Sequence, residues 1–275
     1  MSIYPNTNFI VNNHKPNLRF IPYVGNKSGY ADIFDKLIPD KFSKLVFYDI
    51  FGGSSSFSIY ACNRFGAKNV VYNDNNFTVV NLVKTLRDNP KGLILEFRKH
   101  HARSSSEYYY YIRDLDLNDG VIGAGRFFYL AKNAFSGKIR FNSKGKFSCS
   151  MRKVPKSRDI NEKTLLYISS VIKDLTIKNE SFEYFYDVKN SFLYLDPPFQ
   201  NNPNRHYNQQ IKYNNLMEFV KKIQLLNKLM ISEQDSLFLN FSYRFTIYNV
   251  YKNKSLQYFK RKINNEIIAI NYFVP

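Results

Sequence analysis

A short hydrophobic run that ends in an acid and two prolines constrains this chain more than any other feature. Phe192–Leu195 has the apolar, aromatic composition of a buried strand, and Asp196 follows it at once. Pro197 and Pro198 fix φ and lack a backbone N–H, so the chain must leave the sheet here. Ligands bind at this edge of open α/β sheets. A carboxylate, an unpaired carbonyl and the ring of Phe199 would suit a planar ring with an exocyclic amine. The alternative is a strand that ends in a solvated Asp.

A second strand-like run leads into a turn of small residues. Lys44–Ile50 suits a buried parallel strand, and Gly52 and Gly53 open the turn before a helical stretch at Phe57–Arg64. Glycines allow close backbone approach, and a helix start offers free N–H groups, so this arrangement is typical of the nucleotide-binding entry of a doubly wound sheet. We therefore predict an α/β fold with a cofactor site here. A plain glycine-serine loop is the alternative.

An acid follows the next short strand. Lys68–Tyr72 is strand-like, and Asp74 comes two residues later. An acid at this point is placed to bind the ribose hydroxyls of an adenosine. Asp74 could instead cap the helix predicted at Phe77–Arg87, and the two interpretations are compatible.

The charge balance indicates a polyanionic partner. The 275 residues include 40 Lys and Arg against 22 Asp and Glu, a net charge of +18. Counterion release drives the binding of such proteins to nucleic acid, although a Lys- and Asn-rich composition alone is the alternative explanation. The aromatic content of 17% would also suit base stacking.

Other features of the sequence disfavour several classes of protein. There is no apolar run of about 18 residues, and the N-terminus lacks the apolar core of a signal peptide. We therefore expect an intracellular protein of a prokaryotic or viral host cytoplasm, without a membrane segment. Cys62 and Cys149 show no CxxC spacing, so we expect reduced thiols and no metal site.

Between residues 91 and 164 the sequence becomes basic and aromatic. Phe135–Phe147 alternates as a hairpin does, around an Asn-Ser-Lys-Gly turn. A basic hairpin with aromatic residues can follow phosphates and place a side chain in a groove. A solvated basic face is the alternative. The basic side chains clustered here are Lys138, Arg140, Lys144, Lys146, Arg152, Lys153, Lys156 and Arg158.

Two of these motifs resemble those of amino-group methyltransferases that use S-adenosylmethionine. Asp196–Phe199 resembles their D/N/S-P-P-Y/F/W signature, which alone does not separate adenine, cytosine, guanine and protein-glutamine methylation. Asp49–Ser55 resembles D/E-x-F-x-G-x-G, in which Phe51 and Gly53 match and Ser55 replaces the second glycine.

The remaining motifs resemble one group of these enzymes, the Dam-type DNA adenine-N6 methyltransferases. Phe20–Lys27 is similar to the opening motif F-x-x-W/Y-x-G-x-K of that group. Phe135–Phe147 is similar to its recognition pattern, Y/F-x-G-x-x-R-x-N-x-x-G-x-F, with Ser136 where Asn is frequent. Residues 265–272 resemble its closing strand. The resemblance covers about Phe20 to Tyr272.

The resemblance implies a Rossmann-like methyltransferase sheet with helices on both faces and an inserted, mainly helical target-recognition domain with a basic hairpin. Residues 1–90 and 165–275 would form the catalytic domain, and residues 91–164 the insert. S-adenosylmethionine would be the cofactor and S-adenosylhomocysteine the product, without a metal. The partner would be double-stranded DNA, with the recognition sequence GATC suggested first, and we expect a monomer.

The resemblance also implies roles for individual residues. Asp196 and the Pro197 carbonyl would accept the two N6 hydrogens of a flipped-out adenine, while Phe199 holds the ring; Arg140 would contact a base edge and Phe135 would wedge into the stack. The implied catalytic residues are Asp196, Pro197, Pro198 and Phe199. The implied cofactor-binding residues are Tyr23, Lys27, Asp49, Phe51, Gly53, Ser55, Asp74 and Asp196. The implied DNA-binding residues are Phe135, Ser136, Gly137, Lys138, Arg140, Asn142, Lys144 and Lys146.

Two other functions fit parts of this pattern. An RNA or protein-amide methyltransferase could carry the same Asp-Pro-Pro-Phe site, although such enzymes usually lack the long basic insert. A non-catalytic DNA-binding protein on a methyltransferase frame is the third hypothesis, and Ser55 is the residue that favours it.

Overall fold

Strands and helices alternate in the first part of the chain and five helices then follow one another in the computed structural model, which describes residues 8–11, 19–23, 25–137, 139–142, 145–153, 159–198, 213–233, 245–252 and 266–274. The strands are β1 (Asn8–Val11), β2 (Phe47–Asp49), β3 (Val70–Asn73), β4 (Thr176–Lys178), β5 (Phe192–Leu195), β6 (Lys228–Glu233), β7 (Thr246–Lys252) and β8 (Glu266–Ile270). The helices are α1 (Ala31–Leu37), α2 (Ser56–Phe65), α3 (Phe77–Asp88), α4 (Pro90–Ala102), α5 (Ser106–Asp114), α6 (Gly120–Asn133), α7 (Glu162–Val171) and α8 (Tyr213–Ile223).

The strands of the described chain form one sheet in the order β1-β7-β8-β6-β5-β2-β3-β4. The five strands from β2 to β6 run parallel to their neighbours among themselves, whereas β8 is antiparallel to both β6 and β7. Because β3 lies on one side of β2 and β5 on the other, the strand order reverses between β2 and β5. The predicted α/β, Rossmann-like sheet is confirmed, and its ligand crevice is expected at this reversal.

Helices cover both faces of the sheet, as predicted. The central strand β5 is buried throughout, with Phe192 and Tyr194 in one hydrophobic core and Leu193 and Leu195 in another. Successive side chains of a strand point to opposite faces, so the two cores lie on opposite sides of the sheet. The first core includes residues of α1–α7, and the second includes the apolar face of α8.

Helices α4, α5 and α6 make up most of the described part of the stretch proposed as an insert. α4 and α6 pack so closely that a Cβ at Gly125 would lie 2.3 Å from the Cβ of Glu96. Phe97 of α4 and Phe127 of α6 belong to the same core as the sheet residue Tyr194. This part of the chain is therefore mainly helical and packs continuously with the first core.

The predicted hairpin at Phe135–Phe147 differs from two regular strands. Phe135–Gly137 forms a 3-10 turn, and Phe141 pairs with Phe147 through an isolated antiparallel bridge. Ser136 and Gly137 have φ of 56° and 62°, which interrupts an extended strand. Both phenylalanines of the bridge are buried against Phe127, while Asn142, Lys146 and Ser148 beside them are exposed, so the alternation holds around the turn. Lys138 and Lys144 lie outside the described residues.

A buried arginine holds the connection between α5 and α6. Arg126 is 3% exposed. Its guanidinium donates hydrogen bonds of 2.5 to 3.2 Å to the carbonyls of Ile112, Arg113, Leu115 and Leu117 and to the side-chain oxygen of Asn118. Burial of the guanidinium lowers the pKa of Arg126. The cation thus satisfies carbonyls that the end of α5 would otherwise leave without partners.

Arg126→Met should destabilise the fold by about 3 kcal/mol, because it leaves these buried carbonyls unsatisfied. Urea unfolding would measure the change. Arg113→Met is the matched control: Arg113 pairs at 2.8 Å with Asp114, which is 67% exposed, and its loss should cost less than about 1 kcal/mol. Equal losses in the two variants would contradict the role given to Arg126.

Candidate active site

Three predicted acids lie at the carboxyl ends of neighbouring strands. Asp49 ends β2, and Asp74 and Asp196 directly follow β3 and β5. β2 pairs with β3 on one side and with β5 on the other, so the three acids lie along one edge of the sheet. This edge is the reversal point of the strand order. The structure therefore brings the predicted catalytic and cofactor motifs together.

The glycine loop after β2 packs against β3. The N–H of Gly52 donates to the carbonyl of Asn73 at 2.7 Å, and a Cβ on Gly52 would lie 2.2 Å from the ring of Tyr72. The hydroxyl of Tyr72 donates to the carbonyl of Gly53 at 2.9 Å. Gly53 has φ of 46°, and a Cβ there would lie 3.0 Å from the half-buried ring of Tyr23. Position 52 therefore requires glycine because a Cβ would overlap the ring of Tyr72. Position 53 favours glycine because its φ is positive.

Asp74 connects the glycine loop to the start of α3. One carboxylate oxygen accepts the N–H of Gly53 and the other accepts the N–H of Asn76, each at 2.8 Å. Burial raises the pKa of Asp74, and these hydrogen bonds oppose the rise. The capping interpretation of Asp74 is wrong, because the cap of α3 is Asn76, whose side chain accepts from the N–H groups of Thr78 and Val79.

Asp49 is almost fully buried and faces the first turn of α2. Its Oδ2 accepts hydrogen bonds from the N–H and the hydroxyl of Ser58, at 3.1 and 2.7 Å. Burial raises the pKa of Asp49 to about 7, against the opposing effect of Ser58. The neighbouring carboxylates of Asp196 and Asp74 raise the pKa further.

Lys27 is buried beside Asp196. Its Nζ donates to both carboxylate oxygens of Asp196 at 2.8 Å and to the carbonyl of Gly25 at 3.1 Å. The side chain of Lys27 is 2% exposed and that of Asp196 is 19% exposed. The Asp196 carboxylate, at the end of β5, therefore accepts charge-assisted hydrogen bonds from the ammonium nitrogen of Lys27.

Sequence reasoning assigned no site role to several residues that line this edge. Glu266, the first residue of β8, lies with Oε2 3.7 Å from the Nζ of Lys27, and the phenol of Tyr30 donates to the same oxygen. Asn73 donates to the carbonyls of Ile50 and Glu180 at 3.0 and 2.9 Å. The order of the motifs carried no signal for these contacts, because each depends on which strands are neighbours in the sheet.

Phe51 and Phe199, two of the predicted aromatic site residues, have different outcomes. Phe51 is half-buried, and its ring centroid lies 5.8 Å from that of Phe182, beside the loop that follows β4. Pro197 is buried and Pro198 is exposed after Asp196, whereas Phe199 lies outside the described residues. Ser55 is buried in the glycine loop with a left-handed backbone.

The predicted recognition residues lie on an irregular loop. Phe135 is 55% exposed, and a Cβ on Gly137 would lie 3.2 Å from Pro22, so the loop approaches the opening motif. The N–H of Arg140 donates to the Sγ of Cys149 at 3.0 Å. Asn142 uses its own side chain within the turn, accepting the N–H of Lys146 at 3.0 Å.

The residues that the structure describes contain no cluster of three or more His, Cys, Asp or Glu side chains able to hold a metal ion. Within the same residues, no helix has the length and apolar character needed to cross a membrane.

The reversed strand order, the glycine loop after β2, the acid after β3 and the Asp-Pro-Pro sequence after β5 together define a Rossmann-like methyltransferase. The comparison with known families places it more closely: the family model of the D12 class N6 adenine-specific DNA methyltransferases matches residues 23–256, and the chain belongs to that family. It is therefore an adenine-specific DNA methyltransferase, with S-adenosylmethionine as the methyl donor. The RNA and protein-amide alternatives are not supported.

Three proteins similar to this chain are named type II methyltransferases. The type II methyltransferase M.CviBI of Paramecium bursaria Chlorella virus NC1A is 28% identical over 182 residues, 65% of this chain and 68% of the relative. M1.LlaDCHI of Lactococcus lactis subsp. cremoris, a type II methyltransferase, is 28% identical over 202 residues, 69% of each chain. The type II methyltransferase M.MjaIII of Methanocaldococcus jannaschii is 24% identical over 240 residues, 78% of this chain and 83% of the relative.

The raised pKa of Asp49 predicts a pH-dependent stability. The folded protein keeps a proton on Asp49 that the unfolded chain releases near its ordinary pKa. The contribution of this proton to the free energy of unfolding is therefore complete below about pH 4 and is lost as the pH rises through about 7. From pH 5 to pH 8, the cofactor-free wild type should lose on the order of 2 kcal/mol of unfolding free energy relative to Asp49→Asn.

Urea unfolding at several pH values would measure this difference. Asp187→Asn, which neutralises a carboxylate that is 95% exposed, serves as the control and should follow the wild type. A constant difference between the wild type and Asp49→Asn across this range would show that Asp49 titrates normally.

Proposed function

We propose that Asp196 and the Pro197 carbonyl bind the amino group of an adenine that has been flipped out of duplex DNA. The observation that carries this proposal is the contact between Lys27 and Asp196, in which the carboxylate accepts hydrogen bonds from the ammonium nitrogen at 2.8 Å. An adenine N6 amine is uncharged but offers N–H donors to the same oxygens. Flipping is required because N6 is otherwise buried in pairing and stacking.

The proposed chemistry depends on charge and orientation. Asp196 and the Pro197 carbonyl each accept one N6 hydrogen, which directs the nitrogen lone pair toward the methyl donor. The Asp196 carboxylate also stabilises the positive charge that develops on N6 during transfer. Pro197 and Pro198 lack backbone N–H groups, so acceptors rather than donors face the amine. Phe199 holds the ring by stacking, as the resemblance implies.

The residues at the sheet edge fit the chemistry of S-adenosylmethionine, which supplies an electrophilic methyl group on a sulfonium. Each Asp74 oxygen accepts a single N–H in the observed contacts, and a carboxylate oxygen has a second lone pair for a ribose hydroxyl. Asp49 would provide negative charge near the amino-acid part, and Gly53 and Ser55 the loop wall. Tyr23, Phe51 and Lys27 would complete the site, with S-adenosylhomocysteine as the product.

Residues 91–164 would form the target-recognition region and residues 1–90 and 165–275 the catalytic domain. The exposed ring of Phe135 supports a role as a wedge in the base stack, and the left-handed turn at Ser136 and Gly137 projects it. Arg140 would read a base edge, which suits the bidentate contact of arginine with guanine. Asn142, Lys138, Lys144 and Lys146 would position the loop on the DNA. GATC is the first recognition sequence to test, with the protein acting as a monomer.

Asp196→Ala should abolish methyl transfer, with a fall of at least about a hundredfold, because N6 loses its charged acceptor. Transfer of label from S-adenosylmethionine to duplex DNA, followed by nucleoside digestion, would measure it. Wild-type label in N6-methyladenine that disappears in the variant supports the proposal. Asp187→Ala, an exposed acid on the same chain, should keep full activity. Label that persists in Asp196→Ala would exclude the proposed role.

Arg140→Ala should weaken binding to the cognate duplex by about 1–3 kcal/mol and relax the preference for one base pair. Lys146→Ala is the contrasting variant: its side chain is 48% exposed, so it should weaken binding to all sequences similarly and reduce the salt dependence. Fluorescence anisotropy with single-substitution duplexes would separate the two effects. Unchanged base preference in Arg140→Ala would contradict base reading by this residue.

A further inference from the structure

A buried carboxylate that the proposed chemistry does not use lies beside Lys27. Glu266 is 4% exposed and is the first residue of β8. Because β8 runs antiparallel to β6, its first residue lies at the edge where the parallel strands end, next to Glu233 at the end of β6. Oε2 of Glu266 lies 3.7 Å from the Nζ of Lys27 and accepts the phenol hydrogen of Tyr30.

The observed position of Lys27 competes with the proposed substrate. Its ammonium donates to both oxygens of Asp196, the group that must accept a hydrogen of the target amine. A protonated lysine and an amine that approach the same carboxylate oxygens compete for the same lone pairs. Lys27 must therefore yield part of its contact with Asp196 when the target amine arrives.

Two movements of Lys27 are open, and they differ in electrostatic cost. The side chain is 2% exposed, and a withdrawal into solvent would separate its charge from both Asp196 and Glu266, so the buried Glu266 carboxylate would lose its ion pair with Lys27. Removing the partner of a buried charge is strongly unfavourable. A shift of about 1 Å toward Glu266 instead brings the 3.7 Å separation to hydrogen-bonding distance and keeps the charge paired.

We propose that Glu266, held in place by Tyr30, is a positioning residue that receives the Lys27 ammonium when the target amine binds Asp196. This inference rests on the proposed role of Asp196. Lysine then has two positions, one on Asp196 before the base enters and one on Glu266 afterwards. In the second position the ammonium still faces the reaction site but leaves the Asp196 oxygens to the substrate.

The charge states agree with this arrangement. Burial lowers the pKa of Lys27, but the carboxylates of Asp196 and Glu266 outweigh it, so the pKa is raised and the side chain stays an ammonium. Burial and the neighbouring Glu266 raise the pKa of Tyr30, so its phenol remains a hydrogen-bond donor. Tyr30 therefore orients Glu266 without competing for the lysine.

Glu266→Gln tests the inference in two backgrounds, wild type and Lys27→Met. Two readouts are needed: the single-turnover rate of methyl transfer to duplex DNA, and the preference for a target adenine over a target purine that lacks the amine. The second readout is a ratio of DNA dissociation constants and requires no turnover. In the wild-type background both should fall at least about tenfold, because glutamine is a poor second partner for the ammonium.

In the Lys27→Met background, where there is no ammonium to displace, Glu266→Gln should change both readouts by less than about twofold. Calorimetry with S-adenosylmethionine should give a similar dissociation constant for the wild type and Glu266→Gln, which separates this role from cofactor binding. Tyr30→Phe should produce a smaller loss of the same kind and guards against misfolding of the first variant.

Glu233→Gln is the matched control. Glu233 is another buried carboxylate of this edge, and its Oε2 accepts the phenol hydrogen of Tyr213 at 3.2 Å. Glu233 also raises the pKa of Lys27, but less than Asp196 and Glu266 do, so its effect should differ between the two backgrounds much less than that of Glu266→Gln. Equal losses for Glu266→Gln in both backgrounds would overturn the inference and leave Glu266 a structural role only. Absence of any label with the wild type would overturn the proposed function, and this inference with it.

Discussion

The ammonium of Lys27 lies between two carboxylates that come from distant parts of the chain. Asp196 follows the central strand β5, Glu266 begins β8 near the C-terminus, and Lys27 arrives on the opening segment. Loss of the lysine would take away the positive charge between the two carboxylates, which is strongly unfavourable. The requirement for this contact fixes the opening segment over the glycine loop, where Tyr23 covers Gly53 and Asn26 donates to Ser54 at 2.9 Å. Much of the shape of the active site follows from this one cation.

The charge of this edge is opposite to the charge of the whole protein. The carboxylates along it are Asp49, Asp74, Asp196, Glu233 and Glu266, and Lys27 is buried among them, whereas the chain as a whole carries +18. The two signs suit two different molecules. A polyanionic duplex is attracted by the excess of basic residues, and a methyl donor with a sulfonium and an ammonium group is a cation that an acidic edge favours.

The parts of the site that the sequence predicted are those carried by neighbouring residues. Asp196 after β5, the glycine loop after β2 and Asp74 after β3 each belong to one strand and its turn, so their placement needs only the rule that parallel strands end at one edge. Glu266 and Tyr30 were missed because their contact depends on an antiparallel strand lying beside β6, which no local pattern encodes. The predicted hairpin is found only around its turn, where Phe141 faces Phe147 and both pack on Phe127 of α6. It does not extend to Phe135, because Phe135–Gly137 forms a 3-10 turn that the alternation of the sequence did not indicate.

Ser55 shows how a motif can change while its geometry persists. It stands where the related pattern has a second glycine, and it adopts the left-handed conformation with φ of 56° and ψ of 22°. That conformation costs a residue with a Cβ roughly 1 kcal/mol, which explains why glycine is usual there. Three hydrogen bonds of Ser55 offset this cost. Its N–H donates to the carbonyl of Gly52 at 2.7 Å, and its hydroxyl donates to the carbonyl of Ser54 at 2.8 Å. Its own carbonyl accepts the N–H of Ile59 in α2. The side chain is fully buried, so its Cβ and hydroxyl are packed within the protein. The turn therefore keeps the backbone path that the glycine would give, and the replacement gives no structural reason to regard the frame as non-catalytic.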